Sequence, residues 1–176
     1  MLSSTVPSSG LTINSDLSST NAILSPTGAP YNSVNNPFQA GYYSNQFNGS
    51  TDYLTVPGTS SAFAFGTGAW TWEAWLYPTA LTDCSISSIY TSWGIYFRNS
   101  GQITYYYNGL GAQTPGVALT ANTWTHVAVV REGTSSNQFK IYYNGVLKYT
   151  GTEANNATST NTLYIGEQDV SNGGWF

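Results

Sequence analysis

Glu167-Gln168-Asp169 holds the closest carboxylate pair in the chain, on a segment that also carries Asn172 and glycines. Hard cations such as Ca2+ take six to eight oxygens from carboxylates, amides and backbone carbonyls. Glu167, Gln168 and Asp169, with Asp52 as a remote ligand, are therefore a candidate calcium site. The same residues also fit a solvated polar loop in which Asp169 caps a turn. A second candidate lies in a run that alternates strictly. Thr71, Glu73, Trp75 and Tyr77 fall on one face, and Trp72, Ala74 and Leu76 on the other. Aromatic rings stack on the apolar faces of sugars, and a carboxylate accepts sugar hydroxyls, so Glu73, Trp75 and Tyr77 could hold a glycan. Tyr106 and Tyr142 come from tyrosine runs that present rings on both faces of their strands, and Tyr offers rigid area with a hydroxyl. With Trp175 they complete the candidate ligand or partner surface. The competing reading puts a Trp of this strand in the core and the Glu in a surface hydrogen bond.

Catalysis has little to work with. A glycosidase needs two carboxylates facing each other across the scissile bond, about 5–10 Å apart, and no E-x-D-x-x-E run places them on one strand. A serine or cysteine triad would have to use His126, the single histidine, whose strand and neighbour Trp124 point to packing. Cys84 is the single cysteine; it forms no internal disulfide and reads as a small apolar residue. No Gly-rich phosphate loop and no HExxH occurs.

Only 7% of the residues are charged, with four Lys/Arg against eight Asp/Glu. So few cations cannot neutralise several phosphates, which argues against nucleic acid and against docking on an anionic membrane. No apolar run reaches the roughly 18 residues of a membrane span, and Met1-Leu2-Ser3-Ser4 does not open a visible signal peptide.

The elements that must position these residues are strands. Aromatics make up 15% of the 176 residues, and Tyr, Trp, Thr and Val suit a pleated, half-buried surface. Residues 1–36 read as an extended arm or linker with one short strand near Ala22–Ser25, and residues 37–176 as the folded domain. Strands are expected at Tyr42–Asn48, Asp52–Val56, Trp70–Tyr77, Ser88–Thr91, Gly94–Arg98, Ile103–Tyr107, Thr125–Arg131, Phe139–Tyr143, Val146–Tyr149 and Leu163–Ile165. Asn48-Gly49, Asn108-Gly109 and Asn144-Gly145 supply hairpin signals. Thr125–Arg131 is apolar on both faces, as a central strand would be. Nowhere do apolar residues keep a helical period over ten residues. The fold class is all-β, a two-sheet antiparallel β-sandwich.

Five blocks in order over about residues 42–176 resemble the laminin-G-like, concanavalin A-like jelly roll. Phe47–Pro57 looks like its opening strand pair. Trp70-Thr71-Trp72-Glu73-Ala74-Trp75-Leu76-Tyr77-Pro78 resembles F-T-I-E-A-W-V-x-P, and Trp124–Arg131 resembles W-x-H-V-A-V-V-R. Phe139–Val146 resembles L-x-L-Y-V-D-G-V, and Leu163–Gly166 resembles L-Y-I-G. Residues 167–169 also resemble the pentraxin calcium loop. The opening block, with Pro37-Phe38 before it, is similar to laminin-G-like domains of bacteriophage virion proteins. The family's last strand, of the type I-D-D-V-R-I-Y, has no counterpart here. A longer chain, the N-terminal arm or a neighbouring subunit would then fill its place. The resemblance implies a non-catalytic virion structural or adhesion module (a fibre, appendage or capsid-decoration component) that binds glycans or neighbouring virion proteins as a homo-oligomer or within a larger assembly. A bacterial extracellular lectin-like domain and an auxiliary domain of a glycoside hydrolase are the alternatives.

Overall fold

A computed structural model of the chain describes residues 24–58, 63–98, 101–107 and 110–167, with the side chains of 110–113 left aside. The strands are, in chain order, β1 (Ser25–Thr27), β2 (Tyr31–Ser33), β3 (Ser44–Gln46), β4 (Tyr53–Val56), β5 (Trp70–Leu76), β6 (Cys84–Ile89), β7 (Trp93–Arg98), β8 (Gln102–Tyr107), β9 (Leu110–Gln113), β10 (Thr125–Arg131), β11 (Phe139–Tyr143), β12 (Val146–Gly151) and β13 (Leu163–Ile165). They form a seven-stranded sheet in the order β1-β4-β13-β6-β7-β8-β9 and a four-stranded sheet in the order β12-β11-β10-β5, with β2-β3 as a separate ribbon. Every pairing is antiparallel. Among the described residues no helix is long and apolar enough to cross a membrane.

Side-chain alternation decides which face each strand buries. In β10 it runs buried, half-buried, buried throughout, with Val127 and Val129 fully enclosed and His126, Ala128 and Val130 turned outward. The strand is central, between β11 and β5, as its apolar character on both faces predicts. The core between the sheets is aromatic. Phe65 stacks between Trp70 and Trp93, with 4.8 Å between centroids on each side, and Tyr105 of β8 reaches Phe139 of β11 at 5.1 Å. Such contacts join the two layers directly.

One end of the sandwich is closed by a buried cation. Arg131 is wholly enclosed. Its guanidinium donates to the carbonyls of Gly68 (2.9 Å), Asn155 (2.9 Å) and Gly66 (2.7 Å), and it lies over the Trp70 ring at 5.6 Å. Gly66 and Ala157 exchange both backbone hydrogen bonds beside it. Arg131 therefore ties the loops that follow β4 and β12 to the central strand.

Three expectations are corrected. Asn48-Gly49 does not close a hairpin, because β3 pairs with β2 while β4 pairs with β1 and β13. Asn48 Oδ1 instead gathers the N–H groups of Ser50, Thr51 and Asp52, a local turn that redirects the chain between sheets. The strand expected at Ser88–Thr91 is Cys84–Ile89, bulged between Ser85 and Ser87. Thr91, at φ 59°, belongs to the turn instead. Its serine-rich composition concealed β6. Finally, the segment 24–36 assigned to the arm contains β1 and β2, and β1 is an edge strand of the large sheet. These strands are three residues each and mostly polar, too short to show alternation. Asn144-Gly145 does form its hairpin, with φ 49° and 75° joining β11 to β12; Asn108-Gly109 lies outside the described residues.

The buried acids of the core set an alkaline limit. Burial, helped by neighbouring Asp83, pushes the Cys84 thiol up to about 12, and burial pushes the Tyr143 hydroxyl up to about 12. In the unfolded chain these protons leave near 9.0 and 10.0. The folded state keeps them longer, so raising the pH favours unfolding. Urea midpoints should not respond to these two groups below about pH 8 and should fall steadily from pH 9 towards 12. A midpoint unchanged at pH 11 would contradict their burial.

Candidate ligand-binding face

The outer face of the four-stranded sheet is assembled by register. Trp75 of β5 stands opposite His126 of β10, and Glu73 stands opposite Ala128. Ala128 in turn faces Tyr142 of β11, which faces Leu147 of β12. One row across the sheet thus reads Glu73, Ala128, Tyr142, Leu147. At roughly 4.8 Å per strand, Glu73 and Tyr142 flank a floor about 10 Å across whose centre is a methyl group.

Trp75 is the middle of a larger aromatic group. Phe38, from the loop between β2 and β3, meets its ring edge-on at 5.8 Å and 74°, and Tyr42 lies 5.8 Å beyond Phe38. On the other side His126 sits 5.3 Å from Trp75, with Nε2 3.5 Å from Glu73 Oε2. The rings face solvent: Phe38 is 63% exposed, Tyr42 43% and Trp75 41%. Three adjacent exposed aromatic rings are an unusual surface to leave open without a partner.

The loop that carries Phe38 is tied at several points. Asn36 Nδ2 donates to the carbonyls of Val34 and Tyr42, and its Oδ1 accepts the Phe38 N–H. Trp124 Nε1 donates to Asn35 Oδ1 at 3.0 Å, and Ser44 Oγ donates to the Asn35 carbonyl at 2.6 Å. Tyr77 packs on Trp124 at 5.3 Å. Its place is at the loop anchor, beside the aromatic row.

The structure therefore brings Glu73, Trp75 and Tyr142 onto one face and sets Tyr77 at its margin. Tyr106 stands on the outer face of the other sheet, opposite Gly94 and against Tyr96. Trp175, Gln168 and Asp169 lie outside the described residues. Phe38, Tyr42 and His126 were not among the candidate surface residues. An isolated aromatic beside Pro37 in a polar segment was the available signal for Phe38. His126, read as packed, is half-buried against Trp75.

Of the candidate calcium ligands, Asp52 and Glu167 lie among the described residues. Asp52 is buried, and its carboxylate accepts the N–H of Ala29 at 2.8 Å and of Asn48 at 3.1 Å. It secures the chain where β1 leaves for β2. Gly28, at φ 74°, is required there, since a Cβ would overlap the Asp52 carboxylate and lie 2.6 Å from the Thr51 carbonyl. Glu167 is also buried, with its backbone carbonyl accepting Ser88 Oγ. Among the described residues no three His, Cys, Asp or Glu side chains are grouped to hold a metal.

Similar folds occur in solved structures. Domain 4 of AbnA, a GH43 extracellular arabinanase from Geobacillus stearothermophilus in complex with arabinotriose, superposes with a TM-score of 0.65 at 15% identity, over 86% of this chain and 76% of that one. The binding domain of botulinum neurotoxin DC in complex with rat synaptotagmin II gives 0.61 at 17% identity, over 90% of this chain and 42% of that one. Mouse laminin alpha1 domains LG4-5 give 0.52 at 13% identity, over 68% and 32%. This chain thus spans less than half of the toxin and laminin chains, and at these identities the likeness is one of fold. No curated protein sequence matches the chain. The family pattern that does match, over residues 48–176, is that of the concanavalin A-like lectin/glucanase superfamily, and the chain belongs to it.

Proposed function

We propose that this domain is a non-catalytic adhesion module that binds glycans on the outer face of its four-stranded sheet. The exposed row Tyr42, Phe38 and Trp75, continued by His126 and the Glu73 carboxylate, carries this reading. Trp75 offers a stacking surface, Glu73 and His126 offer polar partners for hydroxyls, and the Ala128 floor leaves room for a ring against Tyr142. The combination of apolar faces with a few placed polar groups is that of a small-ligand site.

Several observations favour binding over catalysis. Described carboxylates face partners of their own. Asp52 and Glu153 accept backbone N–H groups, while Glu132, Asp83 and Glu73 stand beside Lys140, Arg98 and His126. Cys84, the one thiol, is buried and kept protonated far above neutral pH.

We place the module on a virion, as part of a fibre, appendage or capsid decoration, with other virion proteins as further partners, on the strength of the phage-like opening block around Phe38 and Phe47–Pro57. A second reading, an auxiliary domain of a glycoside hydrolase, draws on the likeness to a domain of an arabinanase seen with arabinotriose. Mass spectrometry of purified particles separates them, since a virion module must be found there. A glycan array at millimolar calcium, repeated with a chelator, tests the binding itself. Neutral glycans should bind equally in both, and an array with no bound glycan under either condition would refute the proposal.

A further inference from the structure

The outer face of the seven-stranded sheet carries a second, chemically different cluster. Arg98 is one of four cations in the chain. Arg131 is buried on three carbonyls, and Lys140 is held by Glu132 at 2.6 Å. Among the described residues Arg98 has no such commitment. Its guanidinium lies over two rings at once, Tyr96 at 5.2 Å and Tyr106 at 5.6 Å. The rings brace one another at 5.6 Å and 83°.

Alternation and register explain the arrangement. Tyr96 and Arg98 alternate with the core residues Ile95 and Phe97, and Tyr106 alternates with the core residue Tyr105. Gly94 permits it: a Cβ there would overlap the Tyr96 ring, which lies across the glycine with its hydroxyl bonded to Ser88. The result is a guanidinium stacked on a fixed aromatic base, with its orientation set before any ligand arrives. Its single charge partner among the described residues is Asp83, at 3.6 Å and with both side chains more than a third exposed. Such a long, wet pair is easily exchanged. Two polar atoms here, Arg98 Nε and Ser85 Oγ, are buried with no hydrogen-bond partner among the described residues, and Ser85 stands directly opposite Tyr96. Gln102, opposite Arg98 on β8, adds an amide at the margin.

We propose that Arg98, seated on Tyr96 and Tyr106, is the centre of a second binding site that takes the carboxylate of an acidic sugar in place of Asp83. A planar guanidinium fork matches a planar carboxylate bidentately, while the half-buried Tyr106 and the Gln102 amide meet the attached ring and its hydroxyls, with the buried Tyr96 as the base beneath. One cation suits one carboxylate. A polysulfated or polyphosphate chain would call for several cations, and this face shows one among its described residues. The site is independent of the Trp75 face, which lies on the other side of the sandwich.

Isothermal titration with a galacturonic acid trisaccharide, a sialyl trisaccharide and the carboxyl-reduced form of each tests the proposal and separates the two sources of carboxylate. At least one acidic form should bind about tenfold or more tighter than its reduced form. Arg98→Ala should remove that preference, and Arg98→Lys should weaken it at least about threefold because the fork is lost. Asp83→Asn, by removing the competing acceptor, should tighten binding about threefold to tenfold. Unchanged thermal midpoints in the variants confirm that the fold is intact. The acidic sugars report on this face whether or not any neutral glycan binds across Trp75. Equal binding of acidic and reduced forms, or an acidic preference indifferent to both Arg98 and Asp83, would overturn the assignment.

Discussion

Trp75→Ala should abolish measurable binding of any glycan held on the four-stranded sheet, a loss of at least about 30-fold, while leaving the fold intact. An aromatic anchor at the centre of a small site commonly carries about 2 kcal/mol or more of the binding free energy. Trp75 qualifies because its ring joins Phe38 on one side to His126 on the other. Its removal should cost the fold little, since the side chain points away from the core and is 41% exposed. Phe38→Ala should give a smaller loss, because Phe38 sits at the edge of the row and a neighbouring ring, Tyr42, remains. Calorimetry of the three proteins with one array-selected oligosaccharide reads both effects. A Trp75→Ala protein that binds normally would show that the row is only a packing contact.

Arg131→Ala should be the most damaging single change to stability, at about 3–5 kcal/mol. The Gly68 and Asn155 carbonyls lose their charged donor inside the structure, while the Gly66 carbonyl keeps the Ala157 N–H, and each unsatisfied buried acceptor costs about 1–3 kcal/mol. The cavity left beneath Trp70 adds to this. For a domain of this size the thermal midpoint should fall by on the order of 10 °C. Arg131→Lys should recover only part of it, because one ammonium cannot reproduce the planar fork that spans Gly66, Gly68 and Asn155. A midpoint within about 2 °C of the parent for Arg131→Ala would show that the loop clamp contributes little.

The large features of this fold are legible in the residues because alternation is strongest where both layers bury a strand. Trp70–Leu76 and Thr125–Arg131 declare their inner faces, and their pairing follows the same side-chain order. What stayed hidden has specific physical causes. β6 is half serine, and its bulge breaks the period of two, so burial of Ser85 and Ser88 could come only from tertiary context. β1 and β2 are too short and polar to carry a pattern. The Asn48 turn uses side-chain capping that looks, in sequence, like a hairpin dipeptide.

The make-up of the candidate face was half legible for a similar reason. Glu73 and Trp75 share a strand, so spacing alone puts them together. Phe38 reaches Trp75 only because Asn35, Asn36 and Trp124 hold a loop from a distant part of the chain over the sheet. Tyr106 was grouped with them on residue type, although register sends it to the opposite face. Arg131 stood in plain view at the end of a recognised strand, but nothing local distinguishes a buried arginine from a surface one.

An amide chemical-shift titration with an array-selected neutral oligosaccharide asks most directly where a sugar sits. Perturbations should cluster at Phe38, Glu73, Trp75, His126, Ala128 and Tyr142, and should vanish in Trp75→Ala. Saturable shifts confined to the opposite sheet or to the rim loops, with those six residues silent, would contradict glycan binding on the four-stranded face.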